Sequence, residues 1–147
     1  MRLAIVLTEN LPEEVNVKIL ATDISSRALT AASRGAYPQR IKDEVDGYYL
    51  TRYFERSDEG FKVVGPIRDM VTVRQFNLMD IFPFKNTFDM IFCRNVMIYF
   101  DLKVQQMLLD KFYNVTAPGG LLFLGHSESL INKTHRYKYI QPTIYMK

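Results

Sequence analysis

Four places in this chain set hydrogen-bonding side chains directly after an apolar run. In an open parallel sheet that is where chemistry gathers, because ligands bind beyond the carboxyl ends of the strands. The four are Asp23, Asn77 with Leu78, Arg94 with Asn95, and the turn Gly125, His126, Ser127, Glu128. The two oxygens of Asp23 can accept both hydroxyls of a ribose, or can cap a helix. Asn77 can offer its amide to an adenine edge while the Leu78 N–H meets a ring nitrogen and apolar neighbours sandwich the base; the alternative is an Asn that closes a turn. Arg94 and Asn95 put polar groups at the mouth of a strand. Tyr99, four residues beyond Asn95, can point its hydroxyl back over that mouth as a donor, or can serve packing alone. His126 invites the role of general base, but a carboxylate acceptor is ionised near neutral pH and has no proton to remove. We read His126 as structural.

The elements needed to hold these groups are legible in the patterning. Residues 3–7 read as the last turns of a buried helix, and 17–21 as a parallel strand covered on both faces, ending before Asp23. Ser25 or Ser26 can cap a helix that runs to about Ser33 and stops at Gly35. The stretch 41–72, rich in Tyr, Arg and turn residues, reads as a helical turn and a small antiparallel insertion, in which 61–64 is a strand ended by Gly65 and Pro66. Residues 71–76 alternate as a strand, and 88–93 form a second buried strand. Asp101 can cap the next helix, whose Val104, Met107, Leu108, Phe112 and Val115 recur at helical spacing. Pro118, Gly119 and Gly120 turn the chain into a buried strand at 121–124, and 137–140 and 143–146 are short strand candidates. Strands alternating with helices imply an α/β fold with a parallel, doubly wound sheet and a closing C-terminal hairpin.

Composition narrows the function classes. At 147 residues and 48% hydrophobic the chain has the size and make-up of one globular domain. The net charge of +3 is small and no block of like charges appears, so no nucleic-acid partner is expected; the short basic stretch 135–138 reads as a solvated edge. Cys93 is the only cysteine, which excludes an intrachain disulfide and leaves too few ligands for a Cys/His metal site. Its apolar neighbours make it a buried, inert thiol in a reducing compartment. The opening apolar run is too short to span a bilayer and no cleavage pattern follows it, so no membrane insertion and a cytoplasmic location are expected.

Taken together, "ILATDIS", "FNLMDIFPF", "FDMIFCRNVMIYFD" and "PGGLLFLGHSESL", in this order and spacing, resemble the CheR family of chemotaxis methyltransferases, and "FCRNVMIYF" is highly specific to it. The resemblance runs from about Leu3 to the final "PTIYMK". It implies a class I S-adenosylmethionine-dependent methyltransferase sheet, Rossmann-like, that transfers a methyl group to glutamate side chains in the cytoplasmic signalling domain of chemoreceptors. It further implies that Asp23 holds the ribose, Asn77 and Leu78 the adenine, and Arg94 and Asn95 the region of the cofactor's methionine part. Tyr99 is placed near the reactive methyl group, and with Arg94 is the candidate catalytic pair. The small β subdomain, inserted at about 48–72, resembles one that in some members grips a receptor's C-terminal peptide by strand addition. Its short turn at 56–60 is closer to members without that tether.

Measured against the family, the chain is expected to lack a helical receptor-contacting domain, the first strand and the glycine-containing loop. That strand lies centrally in the family's sheet, so two strands should be left with unpaired edges. A lone chain is then expected to be marginal, to aggregate, or to pair with a second polypeptide that supplies the N-terminal half. The competing expectation is a catalytically inactive fragment or a receptor-interaction module, and cofactor binding separates the two. A nicotinamide-dependent oxidoreductase is disfavoured because no G-x-G-x-x-G fingerprint is present. A DNA amino-group methyltransferase should show a polar-Pro-Pro-aromatic run where "RNVMIY" stands.

Overall fold

The structure is a computed structural model that describes residues 1–128, Leu130 and 134–147. The chain divides into two compact units, Met1–Asn77 and Leu78–Lys147.

The first unit opens with helix α1 (Arg2–Asn10), which buries Ala4 and Ile5 and leaves Val6 exposed. Strand β1 (Ile19–Asp23) follows, then helix α2 (Ser26–Arg34). The Ser25 hydroxyl accepts the Ala28 N–H to start α2, and Gly35 ends it in the left-handed conformation at φ 59°. Next come β2 (Ala36–Tyr37), a 3₁₀ turn (Gln39–Asp43) and helix α3 (Gly47–Tyr53), which is capped by Asp46. The hairpin β3 (Phe54–Ser57) and β4 (Gly60–Val63) joins β2 in a three-stranded antiparallel sheet of order β2-β4-β3. Gly60 is required there: its φ is 129° and a Cβ would meet the Tyr37 carbonyl oxygen at 2.6 Å. The antiparallel insertion is thus present, and it recruits Ala36 and Tyr37 from before the expected segment. Gly65 and Pro66 do end the strand, but Pro66 then opens helix α4 (Gly65–Asp69), because a proline costs no hydrogen bond in a first turn. Strand β5 (Val71–Gln75) pairs in parallel with β1, from Ile19↔Val71 to Asp23↔Gln75. Ala4, Ile5, Tyr53, Val63 and Ile67 form the buried cluster of this unit.

β1 corrects the sequence reading. It starts and ends two residues later than expected, and none of its residues is buried. Among the described residues its one strand partner is β5, and the small side chains of α2, none of them buried, cover the pair thinly.

The second unit contains β6 (Phe88–Cys93), a 3₁₀ turn (Met97–Tyr99), helix α5 (Leu102–Val115), β7 (Thr116–Leu124), β8 (Lys138–Gln141) and β9 (Ile144–Met146). Its sheet runs β6-β7-β9-β8, with β6 and β7 parallel and the C-terminal hairpin antiparallel. Asp101 caps α5 by accepting the Val104 N–H at 2.8 Å. Leu108, Leu109 and Phe112 are the buried face of that helix; Val104, Met107 and Val115 of the expected stripe are half-buried, and Leu109 widens it. The buried cluster also takes in Cys93, Met97, Leu122, Leu124, Leu130, Tyr137 and Tyr145.

Two further readings change here. Pro118, Gly119 and Gly120 do not form a turn ahead of a strand; β7 absorbs them. Gly119, at φ 76°, lets the register step from Phe88↔Thr116 to Met90↔Leu121. β6 occupies the expected residues but is not buried throughout: Cys93 alone is, while Met90 and Phe92 are 42% and 44% exposed. Among the described residues β6 pairs only with β7, which leaves one edge and part of its apolar surface uncovered. No helix among the described residues is long and apolar enough to cross a membrane.

Candidate functional site

In the first unit, Asp23 closes β1 and is exposed. Its Oδ1 accepts the Ser25 N–H at 2.8 Å, and its Oδ2 has no partner among the described residues. The helix cap belongs to Ser25, so the carboxylate of Asp23 is free of that duty. Phe76, just after β5, donates its N–H to the Asp23 carbonyl at 3.1 Å, which brings the two strand ends side by side. Asn77 follows and is exposed.

Leu78 begins the second unit and packs, half-buried, against its core cluster. The carbonyls of Leu78, Met79 and Asp80 converge on one ammonium group, Lys111 Nζ of α5, at 3.2, 3.1 and 2.8 Å. This cation fixes the backbone path of the Leu78 loop. Nothing in the sequence flagged Lys111, because the contact exists only once α5 has folded.

Arg94 and Asn95 follow β6 directly, both exposed, and Asn95 adopts the left-handed region at φ 58°, which Asn tolerates better than most residues. The loop is held by the buried carboxylate of Glu128. Its Oε2 accepts the N–H groups of Asn95 at 2.8 Å and Gly125 at 2.6 Å, and its Oε1 those of Val96 at 2.8 Å and Met97 at 2.6 Å. Burial by itself would raise the pKa of this carboxyl, but the hydrogen bonds from Gly125, Asn95, Val96 and Met97 outweigh it and hold the group below the usual carboxylate range. Glu128 therefore stays charged at neutral pH without a cationic partner among the described residues. From the other side, Gln105 Nε2 donates to the carbonyls of Met97 at 3.0 Å and Phe100 at 2.8 Å.

The remaining candidates are placed as follows. Tyr99 ends the 3₁₀ turn, 80% exposed. His126 lies exposed in the turn after β7, outside the packed core. Cys93 is buried, and burial first, then the charge of Glu128, pushes its thiol up to about 12, so it is protonated and inert at neutral pH. Sequence reasoning grouped Glu128 with the polar turn but gave it no role. The available signal was an acid three residues after a glycine in a segment that otherwise closes a core strand.

In each unit a parallel strand pair with a helix packed on it carries polar groups at the carboxyl ends of its strands, the arrangement of a Rossmann-like α/β protein of the kind that takes a nucleotide-bearing cofactor. The family described as CheR methyltransferase, SAM binding domain, matches residues 1–146. The chain is 42% identical over 133 residues to a chemotaxis protein methyltransferase of Borreliella burgdorferi, covering 89% of this chain and 47% of that protein. It is 40% identical over 130 residues to chemotaxis protein methyltransferase 1 of Pseudomonas aeruginosa, covering 87% and 47%. To the chemotaxis protein methyltransferase of Escherichia coli it is 37% identical over 139 residues, covering 87% and 46%. This chain belongs to the CheR methyltransferase family, as part of its SAM-binding, class I methyltransferase domain, and the cofactor of that domain is S-adenosylmethionine. It spans about half the length of the curated relatives it matches.

Proposed function

We propose that this chain takes part in methyl transfer from S-adenosylmethionine to glutamate side chains in the cytoplasmic signalling domain of chemoreceptors. The observation that carries the reading is the run from Phe92 to Phe100: it contains the segment on which the family resemblance is most specific, and it is the loop that Glu128 holds at the end of β6.

The donor set suits the cofactor. Asp23 offers an acceptor at a strand end with one oxygen uncommitted among the described residues, which is what vicinal ribose hydroxyls need. Leu78 gives apolar surface and a fixed backbone, and Asn77 an amide, for the adenine. Arg94 carries a guanidinium suited to the carboxylate of an amino acid, and Asn95 adds an amide beside it. When bound, S-adenosylmethionine supplies a methyl group on a sulfonium centre. The chain's own task is to align that centre with an acceptor oxygen and keep water away. A glutamate acceptor is already ionised at neutral pH, so no base has to remove a proton, and the exposed His126 has none to take. Tyr99, exposed at the end of the loop, is free to donate its hydroxyl to the acceptor carboxylate.

Transfer of a radiolabelled methyl group to purified receptor signalling domains tests the reading. Label that appears with the wild-type receptor and is lost when its acceptor glutamates are changed to glutamine is the expected result. Label insensitive to those changes overturns the glutamate acceptor, and no label from a folded chain that binds the cofactor overturns the methyl transfer.

A further inference from the structure

Glu128 is 5% exposed, charged, and among the described residues bonded only to backbone N–H groups. Three of those groups belong to consecutive residues, Asn95, Val96 and Met97, and the fourth to Gly125 in the turn after β7. A carboxylate used this way is a clamp: it ties the loop after β6 to the loop after β7. It also consumes the three N–H groups at the start of the 3₁₀ turn, which would otherwise be open to an outside anion. These amides therefore serve shape, and the contact with a bound molecule is left to side chains.

Gly125 belongs to the same device. A Cβ at this position would lie 2.6 Å from Glu128 Oε2 and 2.7 Å from Asn95 Oδ1, so the clamp closes only over a glycine. Met97, 1% exposed, roots the loop in the core, while Arg94, Asn95 and Tyr99 are left on its open side.

We propose that Glu128 is a positioning residue of the cofactor site, its carboxylate setting the backbone from which Arg94 and Asn95 reach the amino-acid part of the cofactor. This rests on the methyltransferase reading above. A clamp of this kind predicts selectivity. Loosening it weakens ligands that carry the amino-acid part and spares those that consist of the nucleoside alone.

The test is Glu128→Gln in the 147-residue chain. Glutamine keeps the size but turns an NH₂ toward two N–H donors. Two ligands are titrated calorimetrically, S-adenosylhomocysteine and adenosine, and hydrogen exchange is followed at the amides of Asn95, Val96, Met97 and Gly125. Expected are a loss of at least about tenfold in affinity for S-adenosylhomocysteine, adenosine affinity within about twofold of wild type, and exchange at least about tenfold faster at those amides but not at Leu121–Leu124. Equal weakening of both ligands, or unchanged S-adenosylhomocysteine affinity, overturns the positioning role; unchanged exchange at the four amides overturns the clamp. Should E128Q not fold, Gly125→Ala, which presses on the same oxygen and leaves the carboxylate in place, must show the same selective loss. A wild-type chain that binds neither ligand overturns the methyltransferase reading and this role with it, and the exchange pattern then reports on the clamp alone.

Discussion

The two units are built from similar sequence patterns and reach different degrees of consolidation. In Leu78–Lys147 the parallel pair β6-β7 continues through β9 and β8, and α5 sets Leu108, Leu109 and Phe112 into a cluster of ten buried residues. In Met1–Asn77 the parallel pair β1-β5 has no further strand among the described residues, α2 buries nothing, and five buried residues gather elsewhere, under α1, α3, β4 and α4. Polar groups follow the same division. The second unit encloses a carboxylate with four backbone donors. The first keeps the polar side chains of Glu9, Tyr48 and Arg52 near the surface, with the buried Tyr53 donating to Glu9. A parallel strand pair does not make a core by itself; bulky helix side chains and continuity of the sheet do.

The contrast is open to direct attack. The largest effect should come from Leu122→Ala, at a position with no exposure, which should cost the second unit about 4 kcal/mol. Ile67→Ala in the first unit removes as many carbons but should cost about 2 kcal/mol, because a smaller cluster relaxes more easily around the gap. Urea unfolding followed at resolved amides of each unit reads both, and equal losses would break the comparison.

The next effect is set by pH. The Glu128 carboxyl titrates lower in the folded chain than the 4.5 of an ordinary glutamate, so its contribution is complete above about pH 5 and is lost as pH falls through the folded value. That contribution is about 1–3 kcal/mol. The amides of Asn95, Val96 and Met97 should lose protection in that acid window before those of β5, and simultaneous loss would argue against a local clamp.

Helix caps sharpen the comparison at about 1 kcal/mol each. Ser25→Ala should unravel α2, which no buried side chain retains, whereas Asp101→Ala should only fray the first turn of α5. Hydrogen exchange along each helix distinguishes the two. The smallest effect, about 0.5 kcal/mol, is expected for Arg136→Ala, which removes an exposed guanidinium 3.9 Å from the Tyr113 ring centroid.

Much of this was readable from the residues. The cap at Ser25, the stop at Gly35, the extent of β6, the cap at Asp101 and the closing hairpin follow from local chemistry, which acts over a few residues and leaves its mark in the sequence. Burial was read less well. The apolar runs of β1 and β6 look two-sidedly covered, but exposure depends on which strands and helices arrive alongside, and a run cannot report that. Pro118, Gly119 and Gly120 have turn chemistry yet lie within β7, where pairing across the sheet overrides local preference. At the site, strand-end positions marked Asp23, Asn77, Leu78, Arg94, Asn95 and Tyr99 as candidates. Glu128 and Lys111 escaped, since each acts on backbone groups about thirty residues away, and backbone N–H and carbonyl groups carry no sequence signature.

The central claim, that this chain is a cofactor-binding part of a methyltransferase, is tested most directly by calorimetric titration of the purified chain with S-adenosylhomocysteine. Saturable binding that is weakened by Asp23→Ala and by Arg94→Ala is the predicted result. A folded chain that shows no heat of binding at millimolar ligand would contradict the claim.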